Sequence, residues 1–387
     1  MKNKFKISFS KVFYYVVLIG FLFPRGYYSI NESYHKICTL FNWVAVLLVV
    51  VQLLFQKKWT FNKDAIKISI YFILAILITF IDRKDVTSGF QQMFAAPFFC
   101  VFIIINMQKD TEELLDVFNN IFCILFTINI FMSRNYLQGV YHIVFLGHVQ
   151  TISQLGDAAL LTSSLYWMLY KKKKKKIGYL IAITFIMMFT TAASSAILSG
   201  VVLLTVYITY RWKLYRMFSF NSQIYVYALL FLSLFLIMAV EINSGIISKI
   251  NFNGREFIWQ NALAKIKDHP LLGYGVDGVL LHTFWTYDYG FNYAHNQLAQ
   301  NMLDGGVILT IGFWNMILVF ASKINYLKEK KYIVLCNAVL LVLLIIMLFD
   351  STTLYVYMYI VLAIIYSLPS ALNNISERNE DSNGHLY

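Results

Sequence analysis

Residues 177–210 read IGYLIAITFIMMFTTAASSAILSGVVLLTVYITY, and whether they form one helix or two decides the architecture. As one helix they would run roughly 50 Å at about 1.5 Å per residue, well beyond a hydrocarbon core of about 30 Å. The small, polar run Thr190-Thr191-Ala192-Ala193-Ser194-Ser195 offers a turn between two short spans. Other apolar stretches lie near 8–24, 37–55, 65–81, 90–106, 114–132, 152–170, 223–240, 305–322, 332–349 and 353–369, so a split here gives twelve spans. Charge favours the split. With twelve spans and both termini cytoplasmic, 23 of the 32 Lys and Arg fall inside and 9 outside; with one span at 177–210 the ratio falls to 19 against 13. The positive-inside rule prefers the former.

Composition agrees. The chain of 387 residues is 59% hydrophobic, 17% aromatic and 13% charged, with four prolines. This reads as an all-α, polytopic integral membrane protein of about twelve transmembrane helices, in the cytoplasmic membrane. The net charge of +12 sits in short connections between apolar spans, an orientation signal and not a nucleic-acid face. Lys2, Lys4, Lys6 and Lys11 before VFYYVVLIGFLF imitate a signal peptide, but Pro24-Arg25-Gly26 follows in place of a cleavage site, so this is read as an uncleaved first span. Lys171–Lys176 is read as a stop-transfer anchor, with anionic-lipid binding as the alternative. The four cysteines lie in apolar runs and form no metal or disulfide pattern. The expected organisation is a membrane domain over 1–372, carrying one large late extracytoplasmic loop at 241–296, and a disordered cytoplasmic tail at 373–387.

That loop is a polar island, with Arg255, His269, His282 and His295 among several glycines. Glu256–Asp268 has helical periodicity in Ile258, Trp259, Ala262, Leu263 and Ile266, punctuated by Gly254 ahead and His269-Pro270 behind. We expect an interfacial helix with Trp259 as its membrane anchor. Arg255 then falls at its N-terminus, where a cation is unfavourable unless an anion is shared; an arginine reaching for lipid phosphates is the alternative. Gly273 and Gly275 fit a tight turn or the close approach of a ligand. His295, at a helix start, can act as a neutral base near pH 7, or serve a structural role.

Arg255-x-x-x-Trp259, then His269-Pro270-Leu271-Leu272-Gly273-Tyr274-Gly275, then Ala294-His295-Asn296, then Gly305-Gly306 resemble the signature of the O-antigen ligase and polysaccharide polymerase superfamily. The resemblance is specific over about 251–306 and elsewhere rests on span count. It implies a metal-independent, inverting membrane glycosyltransferase without cofactor. Its substrates would be glycans on undecaprenyl pyrophosphate, as donor and acceptor, with membrane lipids, a flippase and a chain-length regulator as partners and no nucleic acid. Carried over by position, Arg255 would bind the pyrophosphate and His295 would activate the acceptor hydroxyl, with Asn296, His269, Gly273 and Gly275 as substrate-contacting candidates. One departure is visible: many relatives carry Ser-Arg before the eighth span, where this chain has Ser194-Ser195-Ala196. Arg134 and Lys249 are candidate replacements. The compositional bias to Lys, Asn, Ile, Phe and Tyr favours a capsule or exopolysaccharide repeat-unit polymerase over a ligase. The rival class is a polysaccharide flippase or transporter. Against it, the spans are nearly free of acids, with Asp157 at the end of the sixth span and Asp350 in a short loop, and no half-to-half repeat is visible.

Overall fold

The computed structural model describes residues 8–28, 31–56, 63–83, 89–132, 143–191, 193–211, 218–242, 252, 254–283 and 290–384. Arg134 and Lys249 lie outside the described residues. Its helices are α1 Phe9–Phe21, α2 Glu32–Leu54, α3 Lys63–Arg83, α4 Ala96–Lys109, α5 Thr111–Met132, α6 Thr151–Tyr170, α7 Lys174–Thr190, α8 Ser194–Arg211, α9 Ser222–Glu241, α10 Arg255–Asp268, α11 Gln297–Ser322, α12 Lys330–Phe349 and α13 Met358–Gly384. Apart from α10, each corresponds to one of the twelve apolar stretches. The disputed segment is two helices: α7 ends at Thr190, Thr191 is extended and α8 starts at Ser194.

Among the described residues, eight helices are long and apolar enough to cross a membrane, with α1 and the first part of α8 as shorter apolar helices. Their faces tell which way they look. On α2, Leu40, Trp43, Leu47 and Leu54 are exposed, and on α3 Ile66, Ile70, Ile73, Leu77 and Phe80 are, at helical spacing. Such continuous apolar surface suits lipid. By contrast α12 is apolar all round and buried almost all round, packed on α6, α8 and α9. α13 packs on α4, and α11 on α3. The segment 373–384, expected as a disordered tail, continues α13 as helix; Asn374 donates to Gln108 O at 3.0 Å and Arg378 to Lys109 O at 3.0 Å, which ties it to the end of α4.

Charge marks one end of the bundle. Lys11, Lys173 and Lys176 surround the buried carboxylate of Asp116 at 2.7–2.8 Å, near the start of α5. Lys172 pairs with Glu112. Part of the lysine run is thus taken up by ion pairs within the fold.

The late loop is built around a break in α11. Gly305 and Gly306 leave helical geometry, the latter at φ 59° and ψ −158°. The turn 270–275 fills the break: Val307 N donates to Pro270 O at 2.9 Å, Ile308 N to Leu271 O at 3.4 Å, and Tyr274 N to Leu303 O at 2.7 Å. Backbone groups freed by the kink are therefore paired by the turn. No side chain fits in the seam. A Cβ on Gly306 would stand 2.2 Å from the Leu271 carbonyl, and one on Gly273 (φ +63°) 2.4 Å from Leu303 O. Gly306→Ala is expected to cost more than about 2 kcal/mol, from a left-handed backbone plus an immovable neighbour. Thermal unfolding in detergent checks this, and an unchanged midpoint would show that the seam yields.

Candidate active site

The site assembles from loops far apart in sequence. A short hairpin, β1 Ile143–Val144 and β2 Gly147–His148, precedes α6. Its turn accepts from the end of α1: Arg25 N donates to Leu146 O at 3.2 Å and Gly26 N to Phe145 O at 2.9 Å. Gln150 follows the hairpin. Arg255 opens α10, His295 stands two residues before α11, and Asp350 follows α12. In the twelve-span reading, the connections after the first, fifth, ninth and eleventh crossings meet here, as an alternating chain requires. The Asp116 cluster, at the opposite end of α5 from the hairpin, belongs to the other end of the bundle.

α10 is present as expected, within one residue, but Trp259 is no membrane anchor. It is fully buried against Phe252, and its Nε1 donates to Ala294 O at 3.0 Å. One helical turn separates Arg255 from Trp259, so both lie on one face of α10. The indole thus fastens that face to the residue preceding His295. Burying such a ring is worth about 3–5 kcal/mol on truncation to Ala.

The mount of His295 is rigid. Asn296 is the N-cap of α11, accepting from Ala299 N at 3.1 Å while its amide donates to Ser233 Oγ at 3.1 Å and Leu348 O at 3.0 Å. Gln297 binds Thr352 and Thr353, and Gln300 Oε1 accepts from Ala294 N at 2.8 Å and Ser351 Oγ at 3.1 Å. These bonds clamp 294–300 onto the α12–α13 connection. His295 itself takes φ +50°, uncommon for a residue other than glycine and tolerated here because its neighbours over-determine it.

The imidazole, 8% exposed, meets Tyr293 edge-on at 4.5 Å between ring centres. Nδ1 lies 3.4 Å from the Gln150 amide and 4.0 Å from Asp350 Oδ1. The Gln150 amide is assigned with its nitrogen donating to Asp350 Oδ1 at 3.2 Å and its oxygen accepting from Arg255 Nη2 at 2.9 Å, the only orientation that satisfies both. That oxygen then faces Nδ1, which must carry the proton. Nε2 is left with the lone pair a base needs.

Electrostatics reinforce this. Burial, then the Arg255 and His148 charges, lower the His295 pKa from its usual value to about 3, so the ring is neutral near pH 7. Burial raises Asp350 to about 6, opposed by Ser351 N–H and Arg255. Burial also lowers Arg255, against the pull of Asp350 and Glu256. A guanidinium remains charged nonetheless. Near pH 7 the cluster thus holds a neutral imidazole, a carboxylate and a guanidinium, the last two bridged by one amide. The buried Nε of Arg255 has no hydrogen-bond partner among the described residues.

Of the residues expected from sequence, Arg255 and His295 come together. Asn296 is beside them with its polar groups engaged by the protein. His269 caps the far end of α10, exposed and with its ring tilted at 59° to that of Tyr274, about 20 Å along the helix from Arg255. Gly273 packs in the α11 seam and Gly275 against Thr79 and Arg83. His282 is exposed beside the bridge between Leu281 and Phe291. Sequence reasoning missed Gln150, His148 and Arg25, and noted Asp350 without a role. Asp350 had a signal, as a carboxylate alone in a short connection; Gln150 and Arg25 had none beyond their place at the ends of spans.

No curated protein matches the chain. Residues 143–314, which span His148, Gln150, Arg255 and His295, match the family model described as O-Antigen ligase. The chain is a multi-pass membrane protein, and the match over 143–314 supports its likeness to the O-antigen ligase and polysaccharide polymerase superfamily.

Proposed function

We propose that this protein is a polymerase of lipid-linked repeat units, acting at the outer face of the cytoplasmic membrane to build a capsular or exopolysaccharide. Ligase- or polymerase-type glycan transfer is the family's chemistry. The polymerase assignment, the undecaprenyl-pyrophosphate carrier and the orientation are our reading. The observation that carries it is the buried group in which Gln150 joins Arg255 to Asp350 and turns Nδ1–H of His295 inward.

The chemistry follows from those charges. An acceptor sugar hydroxyl attacks the anomeric carbon of the donor. Its proton passes to His295 Nε2, the new C–O bond forms, and the bond from C1 to the pyrophosphate oxygen breaks with its electron pair. The departing anion gains charge, which the Arg255 guanidinium neutralises through planar, paired donors. One displacement inverts the anomeric centre. Neither step calls on a metal, since the base and the counter-charge are both side chains.

The test uses purified protein in nanodiscs with lipid-linked repeat units from the native cell. A ladder of products is expected. Transfer to a different acceptor without a ladder would favour the ligase reading, and no transfer at all would favour a transporter. Orientation is tested in cells: a cysteine at Asp277 should label from outside, and one at Lys174 only after permeabilisation. The reverse pattern would turn the site to the cytoplasm.

A further inference from the structure

A cavity of about 440 Å³ lies beside the His295 cluster, with Tyr293 lining the one and touching the other. Its size falls within the range of about 300–1,000 Å³ for small-molecule sites, room for roughly one or two sugar rings. It draws on five separate stretches: the α1–α2 connection, α2, the π-helical turn Gln91–Ala95 ahead of α4 with the residues before it, the late loop, and the α12–α13 connection.

We propose that this cavity is the acceptor-sugar subsite, holding the end of a glycan chain against Tyr28, Tyr293 and Tyr355. This rests on the glycan-transfer reading of the site and adds where the acceptor lies. The lining has the two features a sugar requires. The rings of Tyr28, Phe90, Tyr293 and Tyr355 line the cavity and offer apolar area to the C–H faces of a pyranose, at low entropic cost. Between them stand the amides of Gln92 and Asn292 and the Thr39 hydroxyl, which match sugar hydroxyls as donors and acceptors. Thr39 Oγ1 is buried without a hydrogen-bond partner among the described residues, a group a ligand hydroxyl would satisfy. π turns also recur at functional sites, and this one brings Gln92 to the wall.

The charge argues against a second pyrophosphate site. Arg25 is opposed across the same lining by Asp277, so the cavity is close to neutral. Arg255, in contrast, belongs to the catalytic cluster and does not line the cavity. A sugar at the Tyr293 end of the cavity lies next to the imidazole, whose centre is 4.5 Å from that ring. Acceptor and leaving group are thereby given separate places, the acceptor in the cavity and the pyrophosphate at Arg255 beside the base.

The experiment titrates full-length protein in nanodiscs with the lipid-free repeat-unit oligosaccharide, released by mild acid from the native lipid-linked pool. Tryptophan fluorescence reads binding, because the Trp43 ring lies 4.1 Å, centre to centre, from Phe90 of the cavity wall. Wild type should bind, and Thr39→Phe, which fills the cavity from α2, should bind about tenfold more weakly or worse. Thr39→Val removes only the hydroxyl and should lose less than Thr39→Phe. If Thr39→Phe does not fold, Tyr28→Ala in the α1–α2 connection carries the same expectation. Wild-type affinity in the folded Thr39→Phe protein, no binding by wild type, or displacement of the oligosaccharide by sodium pyrophosphate would each overturn the subsite. Plug-sensitive binding together with no ladder in the polymer assay would support the subsite and remove the polymerase reading alone.

Discussion

His295→Ala is expected to lower polymer formation by about 10²–10⁴-fold, the usual worth of general-base help to a weak oxygen nucleophile. The protein should remain folded, because the bonds that clamp 294–300 to 348–353 run through Asn296, Gln297, Gln300 and backbone atoms and not through the imidazole. The pH dependence is diagnostic. Protonation of His295 is held to about 3, so its own titration should not limit the rate at neutral pH. Asp350, at about 6, is ionised above that value and protonated below it. An acid limb should therefore appear near pH 6, where loss of the Asp350 charge weakens the Gln150 bridge, and Asp350→Asn should abolish it. His269→Ala is the control, since that residue is exposed at the far end of α10. Near wild-type polymer from His295→Ala, with a folded but inactive His269→Ala, would transfer the role of base to the wrong histidine for this geometry.

The periodicity of the chain made its helices legible, because a segment apolar for about 20 residues has few other structures available to it in a bilayer. The split of 177–210 followed from length and charge, before any contact was known. In the late loop, α10 was legible for the same reason, and its cap at Gly254 too. What sequence could not reveal was direction. The amphipathic pattern of Ile258, Trp259 and Ala262 says that one face is buried, and membrane and protein are equally good partners for it. The structure buries that face in protein, which turns Trp259 from a lipid anchor into a fastener for Ala294. The turn at Gly273 was legible, but the partner it packs against was not. Gly273 and the Gly305-Gly306 pair are far apart in sequence, yet each is required by the other, since the turn and the kink share one seam. Gln150 was invisible because an amide has no signature of its own; it gains a role only when Arg255, Asp350 and His295 surround it.

Arg255→Ala is expected to reduce transfer by about 10²–10³-fold, as for removal of a donor aimed at charge that develops in the transition state. Most of the loss should fall on kcat, because the leaving pyrophosphate carries more charge in the transition state than in the bound donor. A simple alanine effect would be ambiguous, since the substitution also strips Gln150 Oε1 of its donor and leaves the Asp350 charge with a weaker partner. Arg255→Lys separates the two. An ammonium restores the positive charge beside Asp350 but cannot present two parallel donors to a phosphate and a third to Gln150. If the arginine serves only to balance Asp350, the lysine variant should recover nearly full activity. If it holds the pyrophosphate, recovery should be partial, with folding intact. Full activity in Arg255→Ala would show that the guanidinium is a lipid-facing anchor after all. Its half-buried setting and an Nε left without a partner inside the fold argue for a ligand there, and an anion is the ligand that a guanidinium beside a helix N-terminus recruits.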